Sequence, residues 1–408
     1  MPNPELLCPA GDMECLRTAL RFGADAVYVG GPQLQLRSQN TGFSMEDLAV
    51  ATKEAHALGH RLYVTVNAFP TNAELEALGD YAQGLFALGV DAAIVADLGA
   101  VAVMRRAAPG LAIHISTQAN CLNYAAAAAW HDMGASRVVL AREMTLEQIC
   151  QLRARTPAAL ELEAFVHGAM CMAWSGRCMI SAYLTGRSAN RGACTQSCRW
   201  RYALMEEKRP GEIIDAEEDE HGTSFFSSYD LNMIAHLPEL AEAGVSSLKI
   251  EGRMKTPIYV ASVVSVYRRA FDLLMDQGTE AYRAALPALE EELQKVSHRP
   301  YNTGFYFGRP RPEGGAGPVT QTMEYTSDAE GVSGGWLTVT VKNRFFPGDR
   351  VEVLTPDGVR PLTVREIRDA ETGEILSAAS PAGRRVRIPC GFSAGAGDFV
   401  RGVNRNHL

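Results

Sequence analysis

Four cysteines lie close together near the middle of this 408-residue chain: Cys171, Cys178, Cys194 and Cys198. Four thiolates in one short segment can hold a metal ion or cluster. Zinc sites usually include a C-x₂-C pair, which this segment lacks, whereas an iron–sulfur cluster also takes four thiolates and tolerates more varied spacing. The spacing therefore favours iron–sulfur, with zinc, a redox pair or coincidence as the alternatives.

The residues around these cysteines carry positive charge. Between Cys171 and Met205 there is no acidic residue and there are five arginines, namely Arg177, Arg187, Arg191, Arg199 and Arg201. Positive charge lowers the pKa of a thiol and offsets the negative charge of a thiolate-bound cluster. The same arginines can hold an anionic substrate or RNA phosphates. The alternative interpretation is an ordinary exposed arginine-rich loop.

Composition limits the class of protein. Nine cysteines, an odd number, in a long chain without an export signal predict reduced thiols and a cytoplasmic protein rather than a disulfide framework. No apolar run is long enough to span a membrane. The net charge of −8 argues mildly against a protein coated with nucleic acid. We interpret the remaining cysteines as buried thiols: Cys8, Cys15, Cys121, Cys150 and Cys390.

The elements that position the clustered cysteines and arginines are short β-rich runs that alternate with Ala/Leu-rich helical stretches. Eight such units precede residue 280, which predicts an α/β protein with a (β/α)₈ TIM-type barrel. An open doubly wound sheet is the alternative, but no G-x-G-x-x-G follows the first strand. Short alternating runs near the C-terminus predict a small antiparallel β-barrel domain. The expected domains are the barrel at 1–280 with the cysteine cluster inserted at 171–198, a connecting segment at 281–318 and the β-domain at 319–408. A short acidic stretch at 212–220 is interpreted as a solvated loop.

Polar residues at the carboxyl ends of barrel strands are candidates for chemistry, because the active sites of such barrels lie there. The candidate catalytic residues are Glu163, His167, Lys249 and Glu251. The candidate substrate-binding residues are Asn67, His114, Gln118, Asn120, Arg177, Arg199 and Arg253. Lys249 and Glu251 are two residues apart, so on a strand they face one side and are expected to form a charged pair. Arg253 suits a carboxylate ligand.

Several segments resemble one known family. They are Glu163 to Cys171 continuing through Ser175 to Ser181, Leu7 to Asp12, His114 to Gln118, Arg191 to Cys194, and Lys249 to Arg253. Together they resemble the collagenase-like peptidases, peptidase family 32 of unknown catalytic type. The resemblance covers almost the whole chain, and the four-cysteine segment is its most specific part.

This resemblance implies a 4Fe–4S cluster held by Cys171, Cys178, Cys194 and Cys198. It also implies hydroxylation without molecular oxygen, and the layout of barrel plus one β-domain is closest to the branch that converts the wobble uridine of tRNA into 5-hydroxyuridine with prephenate. Other branches act on ribosomal RNA or on quinone precursors, and the family name comes from a collagen-degrading activity. The expected ligands are therefore tRNA and a small dicarboxylate, with a partner subunit of the same family as a further expectation. Peptidase activity is the alternative, although no H-E-x-x-H motif supports it.

Overall fold

The computed structural model describes residues 4–36, 42–171, 173–200, 218–219, 222–223, 229–308 and 319–403. Two of the predicted features are affected by these limits. Arg201 and most of the acidic stretch 212–220 lie outside the described residues, and so does the side chain of Arg199.

A closed barrel of eight parallel strands forms the centre of the molecule. Its strands are β1 (Glu5–Pro9), β2 (Ala26–Gly30), β3 (Arg61–Val66), β4 (Ala92–Val95), β5 (Ala112–Ile115), β6 (Ala135–Val139), β7 (Glu161–Ala169) and β11 (Ser247–Ile250). Each strand pairs with the next along the chain, and β11 pairs in parallel with both β1 and β7, which closes the ring. The strands read as continuous apolar runs because helices cover their outer faces. The predicted TIM-type barrel is confirmed.

Helices follow the strands, and the first six begin at a residue whose side chain accepts a backbone N–H of the first turn. They are α1 (Met13–Arg21), α2 (Met45–Ala57), α3 (Asn72–Ala87), α4 (Leu98–Ala107), α5 (Tyr124–Asp132), α6 (Leu146–Arg153), α7 (Ile180–Thr185), α8 (Leu237–Glu242), α9 (Pro257–Asp272) and α10 (Gly278–Leu293). Asp97, which follows β4, caps α4 by accepting the backbone N–H of Ala100 at 2.9 Å. Across the described residues, the helices are too short or too polar to traverse a lipid bilayer.

A further layer is built onto β7 outside the ring. The strands β8 (Glu218–Asp219) and β9 (Gly222–Thr223) pair with each other, whereas β10 (Asp230–Asn232) runs antiparallel to the end of β7 and is joined by β12 (Tyr301–Asn302). The predicted connecting segment 281–318 is described up to residue 308. In that part Tyr282, Leu289 and Tyr306 are buried in the same core as the barrel.

The C-terminal residues form one antiparallel sheet with its own apolar core. Its strands are β13 (Met323–Ser333), β14 (Trp336–Val341), β15 (Arg350–Thr355), β16 (Gly358–Thr363), β17 (Arg368–Asp369), β18 (Arg385–Pro389) and β19 (Phe399–Val403). The order is β16-β15-β19-β13-β14-β18-β17, and within the described residues no ladder joins the two edge strands. The antiparallel domain is confirmed, but closure into a barrel by strand pairing is not observed. Leu354 and Phe399 pack into the barrel core, so the two units share an apolar contact.

Candidate active site

A cavity of about 150 Å³ opens at the carboxyl ends of the barrel strands. Its walls come from the ends of most strands and from the segment that follows β7, residues 171–200, which we call the cysteine loop. The predicted site residues that line it are Asn67, Gln118, Cys171, Cys178, Cys194, Cys198, Lys249, Glu251 and Arg253. Sequence reasoning therefore found nine of the described residues that line the cavity, because strand ends of a parallel barrel meet at one face.

The four clustered cysteines all line this one cavity. The four form no disulfide; Cys171 and Cys194 are exposed, and Cys178 and Cys198 are half-buried. Among the described residues, no three His, Cys, Asp or Glu side chains are close enough together to hold a metal ion as they stand. The chemistry of the donor set fits a thiolate-bound cluster, because four free thiols face a common space. Of the cysteines predicted to be buried, Cys150 is instead exposed.

The first turn of the cysteine loop is held tightly against β5. Gly176 adopts a left-handed φ of +69°, and a Cβ there would lie 1.9 Å from the carbonyl oxygen of Gln118. Ser175 beside it donates its backbone N–H to Glu143 at 2.6 Å. Only glycine fits such a close backbone approach. The turn that carries Cys171 and Cys178 on either side is therefore fixed to the barrel.

A second anchor joins the loop to α3. Arg191 donates to the carbonyl oxygen of Phe69 at 2.7 Å and forms an ion pair with Glu74 at 3.1 Å. The side-chain amide of Asn190 donates to the carbonyl oxygen of Cys178 at 3.1 Å. Arg191 thus positions the loop, and its charge is balanced by Glu74.

Below the cavity, the barrel interior contains a buried chain of charges. Lys249 Nζ lies 2.7 Å from Glu163 Oε1, and the other Glu163 oxygen accepts from Arg137 at 3.1 Å. Arg137 also pairs with Glu5 at 2.6 Å. Burial raises the pKa of Glu163, but the Lys249 and Arg137 charges outweigh burial and leave that pKa below its ordinary value. Glu163 is therefore a buried carboxylate that holds Lys249, and it does not line the cavity.

The predicted pairing of Lys249 with Glu251 is thus replaced by a pairing with Glu163. Lys249 and Glu251 both line the cavity, but the Lys249 ammonium points down to β7 and lies 4.4 Å from the centre of the Tyr28 ring. Spacing along one strand could show that the two side chains share a face. It could not show that a neighbouring strand offers Lys249 a nearer carboxylate.

Arg253 lies buried at the cavity wall, and its Nη1 donates to the hydroxyl of Thr65 at 2.7 Å. Asn67 follows the same strand as Thr65 and lies 3.5 Å from the Ser116 hydroxyl through its Nδ2. These contacts bring polar groups from β3, β5 and the end of β11 to one wall. Arg253 can bind an anion there without leaving its strand end.

His167 was predicted as a catalytic residue and lies elsewhere. The pairing of β7 with β11 shifts register after Lys249, so that Phe165 and His167 face successive residues of β11. This irregularity turns His167 away from the interior, where alternation would have placed it. Its ring is fully buried beside Tyr267, 5.4 Å between centroids, and Tyr301, 5.3 Å. Burial lowers the pKa of His167 to about 3, so it is neutral.

Three further predicted residues do not reach the cavity. His114 points into the barrel below it, edge-on to Tyr63 at 4.8 Å, and burial with the nearby Arg137 charge lowers its pKa well below the ordinary value. Asn120 has a left-handed φ of 52° and ends the turn Thr117–Ala119 after β5. Arg177 is exposed beside the mouth. The Arg199 side chain lies outside the described part of the structure.

Several wall residues were missed by sequence reasoning. They are Tyr28, Leu36, Thr65, Ser175, Trp174 and Asn190. Thr65 and Tyr28 lie within strands, where side chains point alternately into and out of the barrel. The inward-pointing positions of each strand could have indicated them. Trp174 and Asn190 come from the cysteine loop, whose fold no period predicts.

These features define a protein of the TIM-barrel class whose cavity is lined by thiols and cations. A family model described as "Peptidase family U32" matches residues 11–315, and one described as "Peptidase family U32 C-terminal domain" matches residues 323–401. The chain therefore belongs to peptidase family U32, as its motifs predicted.

Curated relatives cover nearly the full length of the chain. The chain is 38% identical to tRNA hydroxylation protein P of Escherichia coli (strain K12), over 95% of this chain and 94% of that protein. It is 38% identical to tRNA hydroxylation protein P1 of Bacillus subtilis (strain 168), over 93% of this chain and 90% of that protein. It is also 38% identical to a 23S rRNA 5-hydroxycytidine synthase of Escherichia coli (strain K12), but this match covers 72% of this chain and 44% of that protein.

Proposed function

We propose that this protein is a tRNA hydroxylase that converts the wobble uridine into 5-hydroxyuridine in the cavity at the carboxyl end of its barrel. The observation that carries the proposal is that four cysteines outside any disulfide line the same cavity as Lys249, Glu251 and Arg253. The two relatives named as tRNA hydroxylation proteins support it, because they match this chain over nearly its whole length. The rRNA synthase matches less than half of its own length, which favours tRNA over ribosomal RNA.

The proposed cofactor is a 4Fe–4S cluster bound by Cys171, Cys178, Cys194 and Cys198. When bound, such a cluster supplies one-electron transfer for a hydroxylation that does not consume molecular oxygen. Arg142 supports the binding of a negatively charged group, because its Nη2 lies 3.8 Å from Cys171 Sγ. Positive charge near a thiol favours the thiolate that metals bind.

Two cations in the cavity wall support a small dicarboxylate, such as prephenate, as co-substrate. Lys249 and Arg253 are both buried and both line the cavity. Guanidinium and ammonium groups in a desolvated wall bind carboxylates strongly. The Glu163 carboxylate keeps Lys249 in place, so this ammonium is positioned before a ligand enters.

The remaining polar wall residues suit a pyrimidine and a proton transfer. Asn67 and Gln118 carry amides, which can both donate to and accept from the edge of a uracil ring. Glu251 is the one carboxylate among the described residues that line the cavity, so it is the proposed proton donor or acceptor.

The peptidase alternative receives less support from the geometry. Among the described residues that line the cavity there is no histidine, because His114 and His167 are buried away from it. A serine or cysteine peptidase needs a base beside its nucleophile, and histidine is the usual one.

A partner subunit of the same family stays a prediction of the sequence.

The test replaces Cys178 by Ala in cells that lack other sources of 5-hydroxyuridine. Nucleosides from purified tRNA are measured by mass spectrometry. We expect 5-hydroxyuridine to disappear with Cys178→Ala and to persist with Cys150→Ala, which alters an exposed thiol on α6 that does not line the cavity. Unchanged 5-hydroxyuridine with Cys178→Ala would contradict the proposal. Anaerobically purified protein is analysed for iron and sulfide, and its absorbance is measured at about 400 nm. These measurements distinguish an iron–sulfur cluster from a zinc ion.

A further inference from the structure

Large apolar side chains are exposed on the cysteine loop at the mouth of the cavity. Trp174 is 57% exposed and Tyr183 is 87% exposed, and Trp200 is exposed near them in the chain. Met179 and Leu184 are exposed in the same segment. Exposed apolar side chains that cluster, rather than occurring singly, mark a binding surface.

Trp174 is both part of the cavity wall and open to solvent. Its carbonyl oxygen accepts the backbone N–H of Arg177 at 2.9 Å, which closes the turn. Gly176 within that turn touches the backbone of Gln118, and Ser175 is bonded to Glu143. The backbone beside Trp174 is therefore held in place, so the indole lies at the mouth before any ligand binds.

Tyr183 is presented on a short helix that is fastened to the rest of the loop. The hydroxyl of Ser181 lies 2.9 Å from that of Thr195, and Thr195 in turn lies 2.8 Å from the Ser197 hydroxyl. These contacts hold α7 against the turn Ser197–Arg199. The exposed phenol of Tyr183 thus belongs to a supported surface.

The charge of this surface selects the kind of partner. Residues 172–200 contain no Asp or Glu. Arg177 and Arg187 are exposed there, and the Arg191 charge is balanced by Glu74. Aromatic rings interspersed with arginines and without carboxylates are typical of surfaces that bind unpaired nucleotides, since every base can stack on a ring and every phosphate attracts a cation.

We propose that Trp174 and Tyr183 are stacking platforms for the unpaired nucleotides that flank the target base, with Arg177 contacting their phosphates. This inference rests on the proposed function and deepens it. It assigns to the cysteine loop the recognition of the single-stranded part of the RNA, next to the cavity that takes the target base. Stacking is tolerant of base identity, so these residues select a loop over a duplex and leave the choice of base to the cavity wall.

The test measures the binding of the full-length protein to two fluorescently labelled RNAs by anisotropy. One RNA is a stem–loop of anticodon type, and the other is the same stem as a continuous duplex. We expect Trp174→Ala and Tyr183→Ala each to weaken stem–loop binding at least about fivefold and to leave duplex binding unchanged, with Trp174→Phe retaining most of the affinity. Arg177→Ala should weaken stem–loop binding and reduce its salt dependence by about one phosphate contact.

Phe86→Ala is the matched control, because Phe86 is an exposed aromatic near the C-terminal end of α3, away from the mouth. It should bind both RNAs like the unmodified protein. Equal stem–loop affinity for Trp174→Ala, Tyr183→Ala and Phe86→Ala would overturn the inference while leaving the proposed function intact. A dimer in gel filtration that Trp174→Ala dissociates would also overturn it, because the surface would then bind a second copy of the chain. If the unmodified protein binds neither RNA, the proposed function is overturned as well.

Discussion

Lys249 and Glu163 form a buried ion pair across two neighbouring strands, with 2.7 Å between Nζ and Oε1. Neither side chain is more than 5% exposed. Arg137 reaches the second oxygen of Glu163, so one carboxylate serves two cations. The pair joins the floor of the cavity to the interior of the barrel, because Lys249 lines the cavity and Glu163 does not.

Replacing Glu163 by Gln should destabilise the protein by about 3 kcal/mol, because two buried cations then lack their shared counter-charge. Urea unfolding measures this loss. Glu161→Gln is the control, since Glu161 also contacts Arg137 but its side chain is 44% exposed, and we expect a smaller loss. Equal losses in the two variants would show that the buried position of Glu163 adds nothing.

Replacing Gly176 by Ala should abolish most of the hydroxylation, because the new Cβ would collide with the backbone of Gln118 and displace the turn before Cys178. Misplacement of about 1 Å in a site can cost about a hundredfold in rate. Gly186→Ala is the matched control: its φ is +70°, yet nothing lies within 4 Å of the added Cβ. Both variants should lose about 1 kcal/mol from the left-handed backbone, but only Gly176→Ala should lose the proposed formation of 5-hydroxyuridine. Equal activities would contradict the assigned role of the turn.

His167 should make the folded state sensitive to mild acid. The pKa of His167 is about 3 in the folded protein because of burial, below its ordinary value of about 6.5 when unfolded. As the pH falls below about 6.5, His167 binds a proton in the unfolded chain but stays neutral in the folded chain until about pH 3. The free energy of unfolding therefore decreases.

His167→Gln removes this component. The loss of unfolding free energy between pH 7 and pH 5 should be about 2 kcal/mol smaller in His167→Gln than in the unmodified protein. Denaturant unfolding at both pH values measures it, and His60→Gln, at a partly exposed histidine, serves as control. An unchanged pH dependence in His167→Gln would show that this histidine is not held neutral.

Arg401 should hold the β-domain onto the barrel. It is buried, pairs with Glu352 at 2.7 Å within the β-domain and with Glu292 on α10. Arg401→Gln removes one buried cation and leaves these two carboxylates with Lys295, which lies 3.0 Å from Glu352 and 2.9 Å from Glu292. We therefore expect a loss of about 2 kcal/mol in unfolding free energy. Arg385→Gln, which breaks an exposed pair with Glu330, should change stability little. A loss in Arg401→Gln as small as in Arg385→Gln would contradict this role.

Sequence alone determined the architecture and part of the cavity wall of this protein. Eight apolar runs alternating with helical stretches predict a parallel barrel, because each run must bury both faces and only a helical crossover returns the chain in the same direction. That topology brings strand ends to one face, and Asn67, Gln118, Lys249, Glu251 and Arg253, predicted as catalytic or substrate-binding residues, all line the cavity there. The four-cysteine loop was placed at that face by the same reasoning.

Only the tertiary structure decided which side chains meet. A single register irregularity between β7 and β11 turns His167 out of the barrel interior and against Tyr267 and Tyr301. The alternation of residues along one strand does not predict such an irregularity. Lys249 pairs with Glu163 because two strands distant in sequence lie side by side. Trp174 reaches the mouth because Gly176 allows the loop to touch Gln118. Pairing across strands and close backbone contacts depend on distances in space, which spacing along the chain does not contain.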